Sequence, residues 1–404
     1  MSNFVTHLES TDDGSSLAAD TLHTGHNGRP LLVRYDLDAV ARELQKSTLA
    51  TREPDLWRYR ELLPLRDQGM RVSLGEGMTP LLACPRLGTK MGVPNLWIKD
   101  ESQLPTGSFK ARGMAMAVSV AKELGVTKVA TPTAGNAGGA LAAYAARAGM
   151  ECFVFMPADT PRINQLEAVW HGAKAFLVDG LINECGVIVR EGIEKRGWFD
   201  MSTLREPYRI EGKKTMGLEL AEQMGWSLPG AIFYPTGGGT GLIGMWKAFA
   251  ELEAINFLQD NAKPKMFSCQ SDGCAPIAEA FDRGEDHGTT IDNPHTLASG
   301  LRVPKAIGDF LVLSAVRESG GRAMATSEDR LKDWMRLATE LEGIALCPES
   351  AACLGCLDTA VQEGHIDTDA PVVVFNTGAM QKYVEVMDVT LPELRKDAVD
   401  WDKI

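Results

Sequence analysis

The strongest constraint on the fold is a rhythm of short, continuously apolar runs, each leading through small polar residues into a stretch of helical composition. LWIKD (96–100) passes through a Gly-Ser turn into FKARGMAMAVSVAKELG, and KVATPTAG (128–135) into NAGGALAAYAARAG. ECFVFMP (151–157) precedes a helical stretch near 161–171, and AIFYPTGGG (231–239) leads into TGLIGMWKAFAELEA. MFSCQS (266–271) and VVVFNTGAM (372–380) read as further buried strands. Strands with one face in water alternate apolar and polar residues, whereas unbroken apolar strands are buried on both faces. The pattern predicts an α/β fold of mostly parallel sheets covered by helices on both faces. A length of 404 residues divides most naturally into two domains.

In such sheets ligands bind beyond the carboxyl ends of the strands, where loops enter helix N-termini. That rule selects residues 106–110, 133–138, 237–241 and 376–378, all rich in Gly, Ser, Thr or Asn. Lys110 lies in PTGSFKARG at a helix start, where the macrodipole disfavours a cation. A lysine kept there is suited to being uncharged or covalently engaged, although an ordinary surface lysine after a turn has the same local sequence. Thr133, Ala134 and Gly135 leave backbone N–H groups uncovered, a nest for carboxylate or phosphate to which Asn136 adds an amide. A helix cap with small residues for close packing is the plainer alternative. Gly237, Gly238, Gly239, Thr240 and Gly241 form a second cradle, which matches neither GxGxxG nor the P-loop.

Net charge narrows the partners. At −13 the chain would be repelled by nucleic acid and by anionic membranes, although a few local cations suffice for a small anion. No apolar run reaches the ~18 residues that span a bilayer, and the opening MSNFVTHLESTDDGSS lacks a secretory pattern. Eight scattered cysteines suggest reduced, buried thiols and a cytoplasmic protein. Cys353 and Cys356 form a lone CxxC inside a stretch that reads as a buried helix, so a packing role is expected. Residues 1–30 read as a loose polar extension, followed by a strand in PLLVRYDL and a helix over 38–45.

Taken together, SLGEGMTPLL (73–82), IKDESQLPTGSFKARG, AAYAARAGM, EPYRIEGKKT (206–215), TGGGTG, CPESAA (347–352) and NTGAMQKY (376–383) resemble the fold-type II pyridoxal-phosphate enzymes, and among them the threonine synthase family. The resemblance implies pyridoxal 5′-phosphate bonded to Lys110, with Phe109 among its contacts. Asn136 would meet the ring O3′, the 237–241 loop the phosphate, and Thr377 the ring nitrogen. A neutral hydroxyl at that nitrogen would leave it unprotonated. Thr133, Ala134, Gly135 and Asn136 would hold the carboxylate of an amino-acid substrate, and Arg209 a distal phosphate. The implied reaction takes O-phosphohomoserine and water to threonine and phosphate.

Some positions depart from the family pattern. Ala137 and Leu204 stand where hydroxyl side chains are expected, and Gly238 where an Asn is expected, with Lys213, Lys214 and Thr215 as candidate replacements. These departures keep two relatives of the reaction open: β-elimination by a threonine or serine dehydratase, and β-replacement on a phosphoserine-like amino acid. A non-catalytic amino-acid sensor would have lost the lysine or the glycine loop, and both are present. By the same resemblance, residues 1–72 form an N-terminal arm, 73–115 with 206–395 a large cofactor-binding domain, and 116–205 a small mobile one, in a homodimer. No structural metal is expected: the cysteine ribbon of some relatives is missing, and only His23 and His26 stand in its place.

Overall fold

The computed structural model describes residues 4–260, 262–387, 389–397, 399 and 401. The apolar runs pair with one another, as their two-sided burial requires. All five residues of Ala231–Pro235 and of Val372–Asn376 are buried. These two strands lie side by side at the centre of a six-stranded sheet. Its order is Arg322–Thr326, Lys265–Ser271, Ala231–Pro235, Val372–Asn376, Leu96–Asp100 and Leu81–Ala83. All neighbours are parallel except the edge strand Leu81–Ala83. A second, four-stranded parallel sheet orders Lys174–Val178, Glu151–Pro157, Lys128–Pro132 and Phe199–Asp200. The α/β architecture expected from the strand pattern is therefore present, in two separate sheets.

Helices Lys110–Glu123, Asn136–Ala148, Tyr208–Gln223, Thr240–Ala254 and Pro348–Gln362 follow the stretches expected of them. Tyr208–Gln223 is unusual in being buried from residue 208 to 221 while carrying several charges. Two ion networks make this tolerable, because a buried charge is stable only when paired and hydrogen-bonded. In one, Arg112 lies between Glu101 and Glu219, with Lys99 3.1 Å from Glu219. In the other, Lys214 and Lys247 share Glu211 and Glu251.

Of the expected loose extension over 1–30, the described residues 4–10 are instead tied into a sheet. Val5–Ser10 pairs antiparallel with Leu31–Tyr35, and Phe4, Leu8, Leu31 and Val33 are buried in one cluster. A strand with one buried face needs apolar residues only at alternate positions, so a polar average conceals it. The helix expected over 38–45 runs Leu37–Glu43, where the Ala39 N–H donates to the Asp36 carboxylate (2.9 Å). Cys353 and Cys356 lie within Pro348–Gln362, and all eight cysteines are buried and unpaired. His23 bonds to Thr21 and to the Ala18 carbonyl, while His26 approaches Asp13 at 3.7 Å. Among the described residues no helix is long and apolar enough to cross a membrane.

Candidate active site

The carboxyl ends of the strands open onto one cavity of about 960 Å³. It is lined by Phe109, Lys110, Thr133, Ala134, Gly135, Asn136, Arg209, the glycines 237, 238, 239 and 241, Thr240 and Thr377. Every site residue expected from the sequence therefore reaches the same space.

Lys110 is placed by a loop fastened on both sides. The Phe109 N–H donates to the Thr377 carbonyl (3.0 Å), and the Ala379 N–H donates to the Gly107 carbonyl (2.8 Å). Thr106 is held at φ +62°, a left-handed conformation costly for a β-branched residue. The Lys110 amine then sits 3.8 Å from the centroid of the Phe109 ring. Burial first, and the Arg209 charge second, lower its pKa to about 7. This amine is accordingly ready to act as a neutral nucleophile or base near physiological pH.

Asn136 opens helix Asn136–Ala148 and is held from two sides. Asn164 donates to its Oδ1 (2.9 Å), and its Nδ2 donates to Tyr383 Oη (3.1 Å), which in turn donates to Glu349 Oε1 (2.8 Å). Tyr383 and Glu349 both line the cavity, and Glu349 Oε2 is buried without a partner. Neither was expected as a site residue; the only signal was their place in NTGAMQKY and CPESAA. The packing alternative also holds for part of this loop, since a Cβ at Gly138 would lie 2.8 Å from Val154 Cγ1.

The 237–241 loop is a cradle of free donors. Among the described residues, the amides of Gly237, Gly238 and Gly239 donate to no protein group. Gly239, at φ +79°, then starts helix Thr240–Ala254, whose first N–H groups also lack intrahelical acceptors. Aligned N–H groups at a helix start are a built anion site. A Cβ at Gly238 would lie 2.9 Å from Thr203 Cγ2, so this neighbour occupies the room of a larger side chain. At Gly241 a Cβ would overlap the buried Tyr234 hydroxyl. Gly241→Ala should therefore lower stability by about 1–3 kcal/mol, the usual cost of overpacking, and weaken anion binding. Urea denaturation checks the first effect, and Tyr234→Phe in the same chain should recover part of it.

Arg209 and Lys213, one turn apart on Tyr208–Gln223, both line the cavity, and Lys213 reaches the cradle at Thr240. The Arg209 Nη1 donates to the Met201 carbonyl (2.8 Å) and its Nε has no partner. Of the three candidate replacements only Lys213 lines the cavity. Lys214 is engaged with Glu211 and Glu251, and the Thr215 hydroxyl donates to the Gly212 carbonyl (2.6 Å). Leu204, at φ +63°, turns into the apolar cluster beside Ile243 and Val312. The hydroxyl-bearing residues on that wall are instead Ser202, Thr203 and Ser299. Arg29, Arg190, Arg205, Arg302 and Lys305 line the cavity as well, so the local charge is opposite in sign to that of the whole chain.

Comparison with known proteins agrees with this geometry. Residues 72–378 match the family of pyridoxal-phosphate dependent enzymes. Threonine synthase of Methanocaldococcus jannaschii is 34% identical over 89% of this chain and 88% of its own. Threonine synthase of Methanosarcina acetivorans is 34% identical over 93% of this chain and 92% of its own. The solved structure of threonine deaminase isoform 2 from Solanum lycopersicum superposes with a TM-score of 0.63 at 22% identity, covering 76% of this chain and 82% of that one. This last likeness concerns the fold alone.

The cavity suits the cofactor of that family on its own terms: an amine of lowered pKa for an aldehyde, and free amides with a buried cation beside them for a phosphate. The chain belongs to the pyridoxal-phosphate dependent enzymes and is a lyase of the threonine synthase-like kind.

Proposed function

We propose that the enzyme converts O-phosphohomoserine and water to threonine and inorganic phosphate. The observation that carries this reading is Arg209: a buried guanidinium lining the cavity that holds Lys110, with no carboxylate within ion-pair distance among the described residues and only Glu206 and Asp200 acting on it from further away. When bound, pyridoxal phosphate supplies an electron sink for chemistry at Cα. Lys110 would hold the cofactor, and its amine, with a pKa lowered to about 7, would take the Cα proton of the substrate. Asn136, held by Asn164 and Tyr383, would meet the ring oxygen. Thr377 would meet the ring nitrogen; its hydroxyl lies 3.8 Å from the Cys347 thiol and, among the described residues, bonds to no carboxylate. A partner of this kind favours an unprotonated ring nitrogen. The 133–136 loop holds the substrate carboxylate, the 237–241 loop the cofactor phosphate, and Arg209 the leaving phosphate. Arginine suits that last task because its planar fork grips two oxygens at once.

A panel of O-phosphohomoserine, phosphoserine, threonine and serine, followed for both phosphate and oxo acid, tests the assignment. Ala137 and the inward turn of Leu204 favour the second reading, β-elimination from threonine or serine, which would give oxo acid without phosphate release.

The depressed pKa of Lys110 gives a pH prediction. Only the neutral amine captures an aldehyde, and a lowered pKa makes it neutral at lower pH. Cofactor capture by the apoenzyme should rise through pH of about 7 and level off above it, followed by absorbance. An unperturbed lysine would still be gaining at pH ~10.

We further propose the division into an arm (1–72), a cofactor domain (73–115 with 206–395) and a small mobile domain (116–205). The Lys382–Glu167 pair (2.6 Å) and the Arg302–Asp159 pair (2.9 Å) would join the last two in the closed state. A cytoplasmic homodimer completes the proposal. Buried free thiols fit a reducing compartment, and exposed Trp170, Phe176 and Leu177 beside the sheet edge Lys174–Val178 give a second copy apolar surface to cover.

A further inference from the structure

The buried cations around helix Tyr208–Gln223 divide into two kinds. Lys99, Arg112, Lys214 and Lys247 each contact at least one carboxylate within ion-pair distance. Lys213 is as deeply buried, at 1% exposure, yet among the described residues it has no carboxylate partner. Its amine donates to Thr240 Oγ1 (2.9 Å) and lies 4.2 Å from the centroid of the Phe109 ring, which also carries Lys110. The lysine stem crosses helix Lys110–Glu123 at Gly113, where a Cβ would come 3.1 Å from Lys213 Cε. Burial, then the charges of Lys110 and Arg209, push its pKa well below the ordinary lysine value. Only Glu206, beyond ion-pair distance, opposes that shift, so the charged form of the amine is favoured when an anion completes the site. Thr240, its hydrogen-bond partner, is the first residue of the helix that the glycine cradle opens.

We propose that Lys213, together with Thr240, supplies the positive charge that binds the phosphate monoester of the cofactor. The 237–241 amides alone offer only neutral donors, and a charge-assisted bond is roughly twice as strong as a neutral one. Lys213 is thus a cofactor-affinity residue, distinct from Arg209, which serves the phosphate of the substrate. The inference rests on reading 237–241 as the cofactor-phosphate cradle.

The test compares pyridoxal phosphate with pyridoxal, which lacks the phosphate, by fluorescence titration of the full-length apoenzyme. Lys213→Met should raise the dissociation constant for pyridoxal phosphate about 10- to 100-fold, the loss of one charge-assisted bond. It should leave pyridoxal within about threefold, inside the scatter of such effects. Lys213→Arg should recover most of the affinity. Thr240→Val, a second and independent variant, should weaken the same discrimination and add little to Lys213→Met. Equal losses for both ligands, or no loss for either, would overturn the role of Lys213. So would an effect confined to the KM of O-phosphohomoserine. Wild-type apoenzyme that fails to prefer pyridoxal phosphate over pyridoxal would overturn the cradle reading itself, and this inference with it.

Discussion

Lys110→Ala is expected to lower turnover by roughly 10⁴-fold or more, because it would remove both the proposed covalent anchor and the proposed base at Cα. The fold should survive: the half-buried side chain lines the cavity wall, and the helix keeps a strong helix former. Borohydride reduction of the wild-type holoenzyme, followed by peptide mapping, should place the pyridoxyl label on Lys110. The alanine variant should carry none. This check is sharper than activity alone, because Lys213 presents a second amine to the same aromatic ring. A label on Lys213 in the wild type would transfer the anchoring role and undo the assignment of both lysines.

Arg209→Ala is expected to cost about 3–5 kcal/mol in kcat/KM for O-phosphohomoserine, or roughly 10²- to 10⁴-fold, as when a two-pronged charged contact is lost. Arg209→Lys should restore only part of it, since an ammonium cannot reproduce the fork. Affinity for pyridoxal phosphate should change little in either variant. Arg209 is also buried and donates to the Met201 carbonyl, so some loss of stability is expected alongside. The split between substrate and cofactor effects separates recognition from misfolding, because a damaged fold would impair both. If the enzyme instead eliminates water from threonine or serine, Arg209→Ala will leave oxo acid formation nearly unchanged.

The parallel sheets were legible because burial on both faces leaves unbroken apolar runs, and the loops because close approach requires small residues. Gly241 illustrates the second point: the space beside it is already filled by Tyr234. What the sequence concealed depends on which way adjacent side chains point. Lys213 and Lys214 are neighbours with the same chemistry, but about 100° apart around a helix that is buried on all sides. One meets Thr240 in the cavity; the other meets Glu211 one turn back on its own helix and Glu251, and the packing of Thr240–Ala254 supplies both Thr240 and Glu251. Glu349 and Tyr383 were hidden for a related reason. Each is an unremarkable polar residue until the chain brings them together beside Asn136. Leu204 shows the opposite effect: its left-handed backbone directs the side chain inward, and Thr203 takes the position facing the glycine loop.

Turnover of O-phosphohomoserine in ¹⁸O-labelled water tests the central claim most directly. Elimination breaks the carbon–oxygen bond, so the phosphate leaves with its ester oxygen and the solvent oxygen enters at Cβ. The expected products are threonine with one labelled oxygen in its hydroxyl and unlabelled phosphate, in equal amounts. Oxo acid formed from threonine or serine with no phosphate released from O-phosphohomoserine, or label found in the phosphate, would contradict it.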